Sequence, residues 1–374
     1  MQPNRIKPEH GFFNDGVADY QDVVTIGRQS HPLMSEATPT NATIDLSHRR
    51  QFLRGAIGSA AAGGSLLTMS SLFAESTWEI VKYQEREYVT ATSVHAFYRF
   101  QRFVREDKDL IFRSSHTLMK WTVGSQSIYI NNIKFSLSYP VLEQNKKVLI
   151  SRVDLQKLLD PVLRPWYIKN TAKFETVTID AGHGGHDGGA RGKHGLEKDY
   201  ALDLAKRLDK AVRKLGVKTH MTRDTDVFVT LPDRVKIANK VENSIFVSIH
   251  FNHGGNGSAS GIETYALAPQ GTGSTNDGTV SASKFSGNQR DGENIALATA
   301  VHANVMAKID VEDRGIRRAR FNVLRGINKP SILFEGGFVT NFEESKRIDT
   351  ELYREKVAQS IAGGITNFRN ALKG

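Results

Sequence analysis

The sequence predicts an α/β fold, a mostly parallel sheet flanked by helices, preceded by a small α+β domain. From Glu175 onward, β-branched runs alternate with helical stretches, the pattern of strands joined by crossover helices. Between Thr77 and about Lys169 the runs are shorter, aromatic-rich and more closely spaced, as in a small strand-rich unit. The first 48 residues are polar and carry neither period.

At 374 residues the chain is too long for one typical domain, and 39% hydrophobic residues suffice for ordinary cores. The net charge of +10 suits an anionic partner: nucleic acid, an acidic membrane surface or an acidic cell-wall polymer. No reading helix or finger supports nucleic acid. With no cysteine in the chain, disulfides and thiolate metal sites are excluded, so any metal must be held by His, Asp or Glu.

Taken in order, residues 1–74 are expected to be a disordered leader and targeting segment. Arg49 and Arg50 precede Gln51, Phe52, Leu53 and Arg54, and the stretch Gly55 to Ala74 is uncharged and rich in Ala, Gly, Ser and Leu. This resembles a twin-arginine export signal, with cleavage after Ala74 and Met34 as a candidate start. The segment is too weakly hydrophobic for an anchor, and no stable membrane span is expected in the mature form.

Residues 75–170 are expected to form the small α+β domain. Glu87–Thr90, Gln126–Ile130, Lys134–Leu137 and Val148–Ser151 read as strands. Ser93–Phe103 and Asp154–Leu163 read as helices, the second capped by Ser151 or Asp154.

Residues 171–374 carry the chemistry. The strand Thr176–Asp180 runs into the glycine-rich stretch Ala181 to Ala190, where glycines permit tight turns. A helix over Glu197–Leu215 places Ala201, Leu204, Ala205, Leu208, Val212 and Leu215 on one face and stops at Gly216. A strand over Val217–Thr222 and a helix from about Pro232 follow. Ser244–Ile249 and Ser331–Phe334 are apolar strands with His250 and Glu335 at their exits. In open α/β sheets ligands bind at the carboxyl ends of strands, so His183, His250 and Glu335 converge, and Glu197 in the first helical turn faces the same point. Two neutral imidazoles and a carboxylate make a catalytic type of zinc shell, and a further carboxylate is then free for proton transfer.

Several motifs stand in one order: Ile179-Asp180-Ala181-Gly182-His183-Gly184-Gly185, Glu197-Lys198, Thr222-Arg223, Arg234, Ser248-Ile249-His250-Phe251-Asn252 and Glu335-Gly336-Gly337-Phe338-Val339-Thr340-Asn341. Together they resemble the zinc-dependent N-acetylmuramoyl-L-alanine amidases of the "amidase 3" type, from Glu175 to the C-terminus. The resemblance implies His183, Glu197 and His250 as zinc ligands and Glu335 as catalytic carboxylate. It also implies hydrolysis of the amide bond between N-acetylmuramic acid and L-alanine in peptidoglycan, with the enzyme exported to periplasm or wall. An activator protein is a candidate partner. Residues 75–170 resemble the small N-terminal domain of some copper amine oxidases and read as a spacer or wall-binding module. The rival readings are a zinc peptidase on stem peptides and a catalytically silent wall-binding regulator.

Plainer roles compete at each position. Glu197 alone is an ordinary first-turn acid. Glu335 could pair with an arginine, although an unpaired buried carboxylate is costly. Arg223 and Arg234 read as structural pairs, Asp180 as an acceptor for a ligand histidine, and His186, His194, His220 and His302 as surface or satisfied positions. His253 departs from the family pattern and could bring a further polar group into the site. The basic run Arg314, Arg317, Arg318 and Arg320 reads either as a solvated face or as a clamp for acidic wall polymer. The polar insertion 269–290 is expected to be a mobile loop bordering the substrate groove, outside the core.

Overall fold

The computed structural model describes residues 78–171 and 173–373. The twin-arginine segment, the cleavage position after Ala74 and the alternative start lie outside the described residues.

The first part is built from short hairpins: β1 (Ile80–Tyr83), β2 (Arg86–Thr90), β3 (Arg102–Glu106), β4 (Asp109–Arg113), β5 (Leu118–Thr122), β6 (Ser127–Ile130), β7 (Ile133–Ser136), β8 (Leu142–Gln144) and β9 (Lys147–Ser151). Alternation of buried and exposed residues in β4 to β7 puts Leu110, Phe112, Met119, Trp121, Ile128 and Phe135 inside. The helix expected from Ser93 to Phe103 runs instead over Ala91–Tyr98. Thr90 caps it through Oγ1, and Arg99, at φ 55°, ends it in a left-handed turn that frees the chain to form β3. Ser151 provides the cap of the second helical stretch, its Oγ accepting from Asp154 N at 3.1 Å, so helix begins at Arg152.

The second part contributes β10 (Thr176–Ala181), β11 (Lys218–Met221), β12 (Ser244–Asn252), β13 (Ile262–Leu267), β14 (Asp313–Ala319) and β15 (Ser331–Phe338). β10 pairs in parallel with β11 and β12, β12 with β15, and β13 with β14, while β13 and β15 are antiparallel. The central β12 is buried on both faces, which explains its largely apolar run, interrupted by Ser248. The helices Glu197–Lys214, Asp291–Met306 and Glu351–Ala371 pack together over the sheet. Asp291–Met306 is buried almost all round, so it carries no amphipathic signal. Leu215, expected on the buried face of Glu197–Lys214, is half exposed because the helix has already ended at that point.

The sheet does not stop between the two parts. Its strand order is β11-β10-β12-β15-β13-β14-β7-β6-β5-β4-β3, with Ile316 of β14 opposite Phe135 of β7; β1, β2, β9 and β8 form a separate four-stranded sheet. One hydrophobic core contains Phe112 and Trp121 from the first part and Ile245 and Phe334 from the second. Polar contacts cross the same line: Lys134 N donates to Asp313 Oδ2 at 3.0 Å, Tyr139 Oη donates to Gly271 O at 3.0 Å, and Arg318 donates to Lys157 O. No helix among the described residues is long and apolar enough to cross a membrane.

Candidate active site

At the carboxyl ends of β10, β12 and β15 a pocket of about 530 Å³ opens, lined by His183, Glu197, His250 and Glu335 among others. The glycine-rich loop makes their approach possible. A Cβ on Gly182 would collide with the His250 imidazole, and one on Gly189 would collide with Glu197 and His183. His183 itself sits at φ 58°, a strained conformation for a residue with a side chain, at a cost of about 1–3 kcal/mol.

Two arginines hold that loop. Arg234 pairs with Asp180 at 2.7 Å and donates to His183 O at 2.6 Å, while Arg223 donates to Ala181 O at 3.0 Å and Gly182 O at 2.7 Å. Both are buried and spent on carbonyls and Asp180, in line with structural pairing. Asp180, expected to orient a ligand histidine, instead accepts from Arg234, Thr222 and Ser248. That part falls to Asp187, whose Oδ2 lies 2.9 Å from His183 Nδ1. The tight turn at Gly184 and Gly185 folds Asp187 back on the histidine, a local return that spacing alone left open.

Glu197 opens its helix with Oε2 accepting from Ala190 N at 2.8 Å. Its Oε1 lies 3.1 Å from His183 Nε2 and 2.9 Å from His250 Nδ1. Among the described residues, His183, Glu197 and His250 form a group able to hold a metal ion, with one ligand atom from each lying within 4.8 Å of the others. Burial opposes ionisation of Glu197, yet the two imidazoles hold its carboxyl well below the usual range. Burial likewise disfavours the His183 imidazolium, but Glu197 and Asp187 outweigh it and raise the pKa. The cluster therefore draws positive charge.

Glu335 lies directly opposite His250 in the β12–β15 register. Its Oε2 is buried without a hydrogen-bond partner. Burial, reinforced by the charges of Glu197 and Glu263, pushes its pKa well above the ordinary carboxylate value. All four residues singled out in the sequence thus meet in one pocket.

A comparison with protein families matches residues 177–367 to N-acetylmuramoyl-L-alanine amidase. The chain belongs to that family. LytC of Bacillus subtilis (strain 168), an N-acetylmuramoyl-L-alanine amidase, is 32% identical over 201 residues, 54% of this chain and 37% of LytC. AmiA of Escherichia coli (strain K12), of the same name, is 30% identical over 244 residues, 59% of this chain and 84% of AmiA. The solved structure of the amidase AmiC2 of Nostoc punctiforme shares 37% identity, covers 53% of this chain and 97% of AmiC2, and has a TM-score of 0.44.

The remaining candidates separate cleanly within this family member. His186, His194 and His220 are exposed; His302 is fully buried and satisfied by Thr264 and Asp313, each at 2.9 Å. His253 lines the pocket mouth and is exposed. The basic run is not a free solvated face: Arg314 and Arg317, though partly exposed, both donate to the buried Glu263, at 2.7 and 2.6 Å. Arg318 is buried under Leu267 O and Lys157 O, and Arg320 binds the carbonyls of Pro269, Thr272 and Thr279. Arg320, Tyr139 and the β14 backbone at Arg318 hold the start of the insertion and bury Thr272 and Ser274, while most of residues 276–286 is exposed. No residue of 269–290 lines the active-site pocket. Sequence reasoning missed Glu263, whose only signal was an acid inside an apolar strand.

Proposed function

We propose that this protein is a zinc-dependent N-acetylmuramoyl-L-alanine amidase that hydrolyses the bond between the lactyl group of N-acetylmuramic acid and L-alanine of the peptidoglycan stem. The observation carrying this reading is Glu335, a half-buried carboxylate whose buried Oε2 has no hydrogen-bond partner, opposite His250 and beside a His–Glu–His cluster. His183, Glu197 and His250 would hold the zinc. Two imidazoles and a carboxylate are a donor set that suits zinc, and a cation would answer the cluster's pull for positive charge. Asp187 suits this role, since a ligand histidine commonly gives its other N–H to a carboxylate.

When bound, zinc supplies Lewis-acid polarisation of the scissile carbonyl and an acidified water. Glu335 takes the proton of the attacking water and hands it to the departing alanine nitrogen. A carboxyl whose pKa stands above its ordinary value is suited to both transfers. Arg223 and Arg234 keep the His183 turn in place throughout.

Peptidoglycan digests analysed by mass spectrometry test the reading. Free stem peptides and unsubstituted glycan are expected; shortened stems would establish a peptidase instead. The residues outside the described region support export, with Arg49 and Arg50 before an uncharged stretch. Replacing both with lysine is expected to strand precursor in the cytoplasm, and normal export of that variant would refute this route.

A further inference from the structure

A second groove, about 460 Å³, lies where the hairpins of the first part meet the α/β part. Ser127 and Ser136 face each other across β6 and β7, and with Ser138, Tyr139, Thr275 and Arg317 they line it. Among the described residues, the side-chain hydroxyls of Ser127, Ser136 and Ser138 find no hydrogen-bond partner. Arg317 is spent on Glu263 Oε1 at 2.6 Å and Thr275 O at 3.3 Å, so the groove offers no uncompensated charge.

The strand register ties this groove to the active site. His250 is opposite Glu335, and Glu335 is opposite Glu263. Tyr265, two residues beyond Glu263 and hence on the same face, is opposite Arg317. Pairing of Ile316 with Phe135 then sets Ser136 beside Arg317. One face of neighbouring strands therefore runs from the His–Glu–His cluster to the serine groove. At about 4.8 Å per strand, Ser136 lies roughly 14 Å across the sheet from Glu335. A ligand engaging both ends must be extended.

We propose that this groove binds the glycan strand of the wall polymer, as an uncharged, hydroxyl-rich chain continuing beyond the bond being cut. The inference rests on the amidase reading for the identity of the polymer. Free hydroxyls and a neutralised guanidinium match sugar hydroxyls and acetamido groups. Stem-peptide carboxylates would require an unpaired cation, and the lining has none.

The test uses the full chain, N-acetylglucosamine oligomers as the uncharged glycan probe for binding, and a disaccharide-peptide too short to reach the groove as the kinetic probe. Ser136→Tyr fills the groove at a strand position that accepts aromatics. It is expected to weaken glycan-strand binding by at least about tenfold, with cleavage of the short substrate changed less than about twofold. The double variant Ser127→Ala, Ser136→Ala removes hydroxyls without adding bulk and is expected to weaken binding about three- to tenfold, as the loss of one or two hydrogen bonds does. Unchanged glycan binding in the double variant, or loss of stem-peptide binding in its place, overturns the proposal. Wall digests that release no free stem peptides would refute the amidase reading, whereas glycan binding would still decide the groove.

Discussion

Two glutamates face each other across β13 and β15, and their surroundings could hardly differ more. Glu263 is about 1% exposed and accepts from Arg314, Arg317, Tyr265 and Asn252. Burial opposes its ionisation, but those donors hold its pKa below the ordinary value. Glu335 has an orphaned oxygen and a pKa pushed up. One strand spacing thus separates a carboxylate completed by the protein from one left incomplete. The lesson is that site chemistry lies with the group whose partners are missing, and that the network beside it keeps its surroundings rigid.

The largest effect should come from Glu335→Gln. Turnover on labelled wall is expected to fall by about 10²- to 10⁴-fold, the worth of a positioned general base, with zinc content by elemental analysis retained. Loss of zinc would make Glu335 a ligand, and full activity would move the base elsewhere, with His253, which lines the same pocket, as one alternative.

Glu263→Gln should reverse the pattern, with stability falling more than chemistry. Removing one partner of a buried ion pair commonly costs about 3–5 kcal/mol; because both arginines are partly exposed, the loss should be near about 3 kcal/mol by urea unfolding. An unfolding midpoint equal to wild type would show that the two arginines find equal partners elsewhere.

The two carboxylates should also respond oppositely to pH in chelator-treated protein. Glu263, with its folded pKa lowered, adds stability that is present above the unfolded value of about 4.3 and is lost as pH falls through the folded pKa. Glu335, with its folded pKa raised, adds stability that is present below about 4.3 and is lost as pH rises toward the folded pKa. Relative to wild type, Glu335→Gln should therefore gain stability as pH rises above about 4.3, by urea denaturation at each pH. A pH-independent difference would contradict the raised pKa.

The smallest effect concerns the insertion. Arg320→Ala removes donors to Pro269, Thr272 and Thr279, and is expected to cost about 1–2 kcal/mol while making residues 269–285 cleavable by protease. Unchanged protease resistance would mean that Tyr139 and Thr275 suffice to hold the loop.

The α/β pattern and the meeting of His183, Glu197, His250 and Glu335 were legible because each lies near the carboxyl end of a strand or at a helix start, although β12 and β15 run on past His250 and Glu335, which were expected at their exits. The boundaries moved where a single residue decides them, as at Arg99. What stayed hidden was long-range. Nothing local to Arg317 or Arg320 announces a buried glutamate or a loop of carbonyls as partner, so a basic run reads as surface. Asp187 was in view, but its role depended on the fold of a glycine turn. The insertion looked mobile by composition, and composition is silent on what binds its carbonyls.

The junction of β14 with β7 has a consequence for evolution and engineering alike. An α/β sheet ending at β14 would present a row of unpaired backbone donors and acceptors to solvent, an invitation to pair with another chain. Here the hairpins of the first part occupy that side and carry the sheet on to β3, whose charged Arg102, Arg105 and Glu106 make a less adhesive border. The N-terminal part therefore covers a sheet edge that the last two hundred residues alone would leave open to pairing.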